Sequence, residues 1–235
     1  MSYNPFGGRM DDPTGFANTN LILQEPTEEV DPLERADAED ENGDIAASTW
    51  HGNSGGALKT VNVVLLLKSG TLDLSTLYCG EKAAGTVIES LAVDTDNGDW
   101  PKITAVCKIG TQAITAPTGK TNKFSLPAIT ITGAKRAQEM GFTTDATCRL
   151  TGSSLSASVD LARVNDSLGE AAAHGLSSKV IEVSADFVAV TTAPGWTVTG
   201  DFVETQPPTR AENQAAYHTG TGTAEMVFER DSAGE

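Results

Sequence analysis

The sequence predicts a mainly β protein: an antiparallel β-sandwich or barrel with one or two short helices, behind an extended acidic N-terminal arm. Three observations lead there. Apolar residues recur with period two in four separate segments, which gives each segment one apolar and one polar face. The polar faces are rich in Ser and Thr, which suit a pleated strand better than a helix. An Asn-Gly reversal also stands between two strand-like runs, the local signature of a hairpin.

Taken in order, residues 1–56 read as the arm. Pro5, Pro13, Pro26 and Pro32 punctuate it, and the run 34–44 is acidic with little to bury. Such a segment does not offset its own ordering entropy alone, but it can order against a partner. Residues 1–45 carry 12 Asp or Glu against Arg9 and Arg35, so −10 of the net charge of −16 belongs to the arm. Gly52-Asn53-Ser54-Gly55-Gly56 then leads into the body, 57–235, whose first clear strand runs from Val61 to Leu67.

Within the body, a strand ending in Val93-Asp94-Thr95 turns through Asn97-Gly98-Asp99 and returns from Trp100-Pro101. Asn-Gly tolerates positive φ, and a proline fits the start of the returning strand, where no ladder donor is needed. Asp94, Asp96, Asn97, Gly98 and Trp100 are therefore the candidate hairpin tip and assembly residues. Ile103, Ala105, Cys107 and Ile109 alternate with polar or smaller neighbours, as do Leu155, Ala157, Val159 and Leu161. The same holds for Ile181, Val183, Ala185, Phe187 and Ala189, and for Ala224, Met226 and Phe228. Residues 134–140 and 168–174 could each form a short helix, ended by Gly141 and Gly175.

Charge and composition narrow the function classes. A chain with pI near 4.5 repels phosphate backbones, which argues against tight nucleic-acid binding but not against nucleic acid passing alongside. No stretch reaches the roughly 18 apolar residues of a membrane-spanning helix. The start, Met1-Ser2-Tyr3-Asn4-Pro5, lacks the basic and apolar regions of a secretory signal, so synthesis in the cytoplasm is expected. Cys79, Cys107 and Cys148 are widely spaced and odd in number, which suits buried reduced thiols rather than a metal site.

No motif speaks for catalysis, and no catalytic, cofactor or metal residue is expected. Gly52–Gly56 looks like the nucleophile loop of trypsin-like proteases, yet His51 lies three residues from Ser54, with no room for the intervening fold. Gly119-Lys120-Thr121 ends like a phosphate-binding loop, but Ile114 stands where its first Gly belongs and Pro117 breaks the approach. Asp94, Asp96 and Asp99 miss the calcium-loop spacing, with Ala105 at the position of the bidentate Glu. His51, His174 and His218 have no ligand spacing and read as surface residues.

The body resembles phage tail tube proteins, ring-forming β-sandwich virion subunits. The likeness rests on 85–110, with its Asn97-Gly98 reversal and Trp100-Pro101 return, and on 178–230. There a small-residue segment, 169–175, precedes a long strand, a Gly195-Trp196 strand and a final strand from Thr221 to Arg230. The resemblance covers roughly a third of the chain and consists of the order of turns and strands. It implies hexameric rings of identical subunits stacking into a hollow, DNA-conducting tube within a virion, together with other virion proteins. An acidic lumen would let DNA slide rather than stick, and alternation makes Asp160, Glu182 and Asp186 the candidate lumen-facing acids. Head decoration proteins, minor capsid proteins and tail terminators show a similar order of elements. A carbohydrate-binding β-sandwich is the other alternative, which would need Trp50, Trp100 and Trp196 exposed in a groove.

Overall fold

The computed structural model describes residues 12–24, 26–30, 34–39, 45–51, 59–83, 85–110, 123–144, 146–165, 171–189, 196–198, 202–212 and 218–226. Alternation of small β-branched and polar residues yields strands almost throughout. In chain order they begin with β1 (Leu21–Leu23), β2 (Thr27–Val30), β3 (Glu34–Glu39), β4 (Ile45–His51), β5 (Lys59–Leu67) and β6 (Thr71–Asp73). After a 3-10 turn at Leu74–Thr76 come β7 (Tyr78–Ala83), β8 (Thr86–Asp96), β9 (Lys102–Ile109), β10 (Lys123–Ser125), β11 (Thr130–Thr132) and β12 (Phe142–Thr144). The series ends with β13 (Cys148–Asn165), β14 (Ala171–Ala189), β15 (Trp196–Val198), β16 (Phe202–Glu212) and β17 (His218–Met226).

The large antiparallel sheet runs β1-β5-β9-β8-β13-β14-β17-β16 and does not close on itself, so the barrel form is excluded. Its central feature is a fork at β8. Ser90–Asp96 of that strand pair with β13, whereas Thr86–Ile88 pair with β7, which carries β10 on its far side. A register shift between Ile88 and Ser90 marks the branch point, as a bulge redirects a strand. Both branches then turn their apolar faces to one core.

That core holds Val61, Val63, Leu65 and Leu67 of β5, Leu91 and Val93 of β8, and Ile103, Ala105 and Cys107 of β9. Leu155, Ala157 and Val159 of β13 and Ile181, Val183 and Ala185 of β14 continue it. Every one of these is the inward member of an alternating pair. Leu74, Leu77, Ile131, Met140 and Phe142 join the same cluster, so the ribbons β6–β11 and β12–β15 bring their apolar residues to it.

Two stretches of the arm join this sheet. β1 pairs with the end of β5, Leu21 opposite Leu67, and β2 pairs with its beginning, Thr27 opposite Asn62. The preceding loop is anchored as well. Phe16 meets the Tyr78 ring edge-on at 5.5 Å, and Lys82 donates to the Pro13 carbonyl at 2.8 Å. β3 and β4 form a separate two-stranded ribbon.

Neither expected helix is present. Residues 134–140 form a bent, non-helical segment, because two of its amides are claimed by side chains of the hairpin. The Ala137 amide donates to Asn97 Oδ1 at 3.0 Å, and the Gln138 amide to Thr95 Oγ1 at 2.9 Å. A seven-residue helix has too costly a nucleus to compete with such bonds. Of 168–174, residues 171–174 belong to β14, where they pair with β13, and the rest lie outside the described residues. The pairing of two long strands overrides the helical preference of Ala171-Ala172-Ala173. The one described helical element is the 3-10 turn at Leu74–Thr76, which the Asp73 side chain caps by accepting from the Ser75 amide at 3.0 Å.

Candidate functional site: an acidic, hydroxyl-lined sheet face

Opposite the core, the sheet presents a polar face whose composition follows from the same alternation. Register aligns its residues in rows across five strands. One row runs Lys102, Asp94, Ser154, Ser184 and Thr223, from β9 to β17. A second runs Thr104, Ala92, Ser156, Glu182 and Glu225. A third runs Asp96, Gly152, Asp186 and Thr221. Hydroxyls tie neighbouring strands together: Ser154 and Ser184 share a hydrogen bond of 2.7 Å, and Thr221 Oγ1 donates to Asp186 Oδ1 at 2.5 Å.

Glu182 and Asp186 therefore share one exposed face with Asp94 and Asp96, members that alternation on β14 alone did not name as part of the same surface. Asp96 and Asp186 flank Gly152. A Cβ at Gly152 would collide with the Asp96 carboxylate and lie 3.7 Å from Asp186 Oδ2. Asp160 is exposed on the same side of β13, but it sits beyond an irregularity at which Ser158 pairs with Val180 and Asp160 with Ser177. It stands apart from the other four. Burial holds the Asp94 carboxyl above its ordinary range, with Lys102 opposing that shift and Asp96 adding to it.

The hairpin tip is anchored within the subunit. Gly98 adopts φ +100, a conformation that glycine takes without strain, and its amide donates to the Lys135 carbonyl at 3.2 Å. Asn97 acts in three directions. Its amide reaches the Thr151 carbonyl at 3.1 Å, its side-chain amide reaches the Leu150 carbonyl at 3.2 Å, and its Oδ1 accepts from Ala137. Trp100 is half-buried, with the Lys135 ammonium 5.3 Å from its ring centre.

Beneath the tip lies a polar network that alternation could have revealed. Thr95 and Ser153 occupy inward positions among Leu91, Val93, Leu155 and Ala157, and both are buried. Their hydroxyls bond each other at 2.8 Å, and Ser153 Oγ also donates to the Gln138 carbonyl at 2.5 Å. A buried hydroxyl needs such partners, so a Thr or Ser at an inward position marks where another segment docks.

Cys79, Cys107 and Cys148 are buried, and none is in a disulfide. Burial is the main cause that pushes the Cys79 and Cys107 thiols up to about 12, which leaves them unreactive at neutral pH. Among the described residues, no group of three or more His, Cys, Asp or Glu converges as a metal site would require. In the backbone, His51 pairs with Glu34, His174 with Arg163 and His218 with Ala189, on three different strands. Gly52–Gly56 and Gly119–Thr121 lie outside the described residues, as do residues 227–235 with Phe228. No helix among the described residues is long and apolar enough to cross a membrane. Compared with known proteins, the sequence matches no family model, and no curated protein is significantly similar to it.

Proposed function

We propose that this chain is a structural virion protein, a phage tail tube subunit that assembles as hexameric rings into a DNA-conducting tube, and that it has no catalytic role. The observation that carries the reading is the sign of the outward face. Segments 90–96, 152–158, 180–186 and 219–224 form its central strands, and none of them contains Lys or Arg. Asp94, Asp96, Glu182 and Asp186 are interspersed there with Ser and Thr hydroxyls. Glu182 and Asp186 are four residues apart on one strand, about 14 Å at strand rise. That is under two Debye lengths at physiological salt, so in a narrow lumen their fields overlap those of neighbouring subunits. A surface of this kind repels phosphates and hydrates a passing duplex without gripping it. Among the described residues, the edge strands β1, β2 and β16 pair on one side only, which leaves the other for a neighbour to complete and suits cyclic assembly. Negative-stain electron microscopy of the concentrated protein tests the proposal. Six-fold rings or tubes support it, and dispersed monomers at every concentration and ionic strength refute it.

A further inference from the structure

A second surface of opposite character lies at the start of β13, next to the row of Asp96, Gly152 and Asp186. A cleft of about 520 Å³ opens between segment 130–139 and the start of β13, with Arg136 on one wall and Arg149 on the other. Thr130, Thr132 and Thr144 line it further, and Glu139 is the acidic residue among its described lining. In a chain of net charge −16, two guanidiniums on one cleft are out of keeping with the rest of the surface. Among the described residues neither arginine makes an ion pair; the described pair, Lys59 with Glu28, is elsewhere. The Glu139 carboxylate turns to the backbone five residues on, accepting from the Thr144 amide at 3.3 Å.

The walls are held firmly. Gln138 clamps its own loop, accepting from the Thr132 amide and donating to the Thr132 carbonyl, both at 2.7 Å. Asn97 pins the residues next to each arginine, through the Ala137 amide on one side and the Leu150 carbonyl on the other. The cleft is thus preorganised, and its volume is in the range of organic-ligand pockets, roughly 300–1,000 Å³, well beyond a single oxyanion. Each guanidinium can bind one carboxylate with two parallel hydrogen bonds.

We propose that the Arg136–Arg149 cleft is a docking site for a carboxylate-rich peptide segment. The chain itself supplies one. Residues 28–44 hold nine Asp or Glu against Arg35, and within them β3 pairs only with β4 among the described strands. The occupant is the corresponding segment of a second copy, whose acidic charge complements the two guanidiniums. This inference stands apart from the tube reading, because it is read out by peptide binding and not by assembly.

The test is fluorescence anisotropy of a labelled peptide of residues 28–44 titrated with the full chain at low salt, kept dilute to avoid assembly. A scrambled peptide of equal charge and inorganic phosphate serve as comparisons. Wild-type protein is expected to bind the peptide, the R136Q/R149Q variant about tenfold or more weakly, and R136K/R149K between the two. Binding should also weaken with added salt. Both arginines are exposed, so circular dichroism and melting of the variants should match wild type; should the double variant misfold, R136Q and R149Q singly give the reading. Preference for the native over the scrambled peptide supports a second copy as the source. Equal binding of both would overturn a second copy as the occupant and leave a site that reads charge alone. Failure of either peptide to bind, binding unchanged in both single variants, or saturation by phosphate alone would overturn the proposal.

Discussion

Leu21→Ala is the sharpest probe of how the N-terminal region contributes to the fold. Leu21 is 0% exposed, lies opposite Leu67 and belongs to the same core cluster as Leu65 and Ile103. Truncating a fully buried Leu costs about 2–5 kcal/mol when the surroundings do not collapse into the space. Here the strand is held from both sides: the Leu21 amide donates to Asn18 Oδ1 at 2.9 Å, and the Lys68 amide to the Asn20 carbonyl at 3.0 Å. Relaxation should therefore be limited, up to the free energy at which β1 detaches as a unit. The neighbouring Ile22 is the internal control, being 38% exposed on the opposite side of the same strand. Urea unfolding of dilute protein should give a loss of about 2 kcal/mol or more for Leu21→Ala, with the m-value unchanged. Ile22→Ala should stay within about 0.5–1 kcal/mol. In thermal melts the former corresponds to a fall of roughly 4–20 °C for a domain of this size. Equal effects of the two substitutions, or a loss below about 0.5 kcal/mol for Leu21→Ala, would refute the assignment of this strand to the core.

Three further expectations follow from the charged and buried groups. If the chain is the tube subunit proposed above, Glu182→Lys or Asp186→Lys should leave assembly intact but slow genome ejection, with the defect easing at higher salt, since each would reverse the sign at about six points per hexameric ring; ejection unaltered at every salt concentration would remove this face from any DNA channel. Asp94→Asn should raise the urea midpoint at pH 7. The raised carboxyl contributes stability that is full below its unfolded pKa and is lost as pH rises through its folded value, so the gain should shrink as the medium is acidified. A midpoint that falls at pH 7 would contradict it. Finally, Cys79 and Cys107 should resist iodoacetamide in the native state and react in urea. Between the ordinary thiol value of 9.0 and their folded value of about 12, stability should fall with rising pH more steeply than in a C79A/C107A variant. Identical slopes would show that these thiols do not titrate as buried groups.

Much of the fold was legible from period two alone. The inward sets of β9, β13 and β14 were named from alternation, and Ile103, Ala105, Leu155, Ala157, Ile181 and Val183 all lie in the core. The β8–β9 reversal was named from Asn97-Gly98, and register places Asp94 opposite Lys102 across it. The outward direction of Glu182, Asp186 and Asp160 was named on the same ground, and all three are exposed.

What alternation could not supply is which strand lies beside which. Periodicity is a property of one segment, whereas pairing is decided by contacts far apart along the chain. Thus Ala171-Ala172-Ala173 read as a helix in isolation and became strand on meeting β13. Segment 134–140 read the same way and was drawn out of helix by Asn97 and Thr95, about 40 residues earlier. The fork at β8, the seating of Leu21 against β5 and the meeting of Arg136 with Arg149 across a cleft are of the same kind. Composition and period determine which side of a strand is wet, because that depends only on the residue and its neighbours. The partners are determined by the tertiary structure, because each buried hydroxyl, amide and methyl must find its match wherever the rest of the chain provides it.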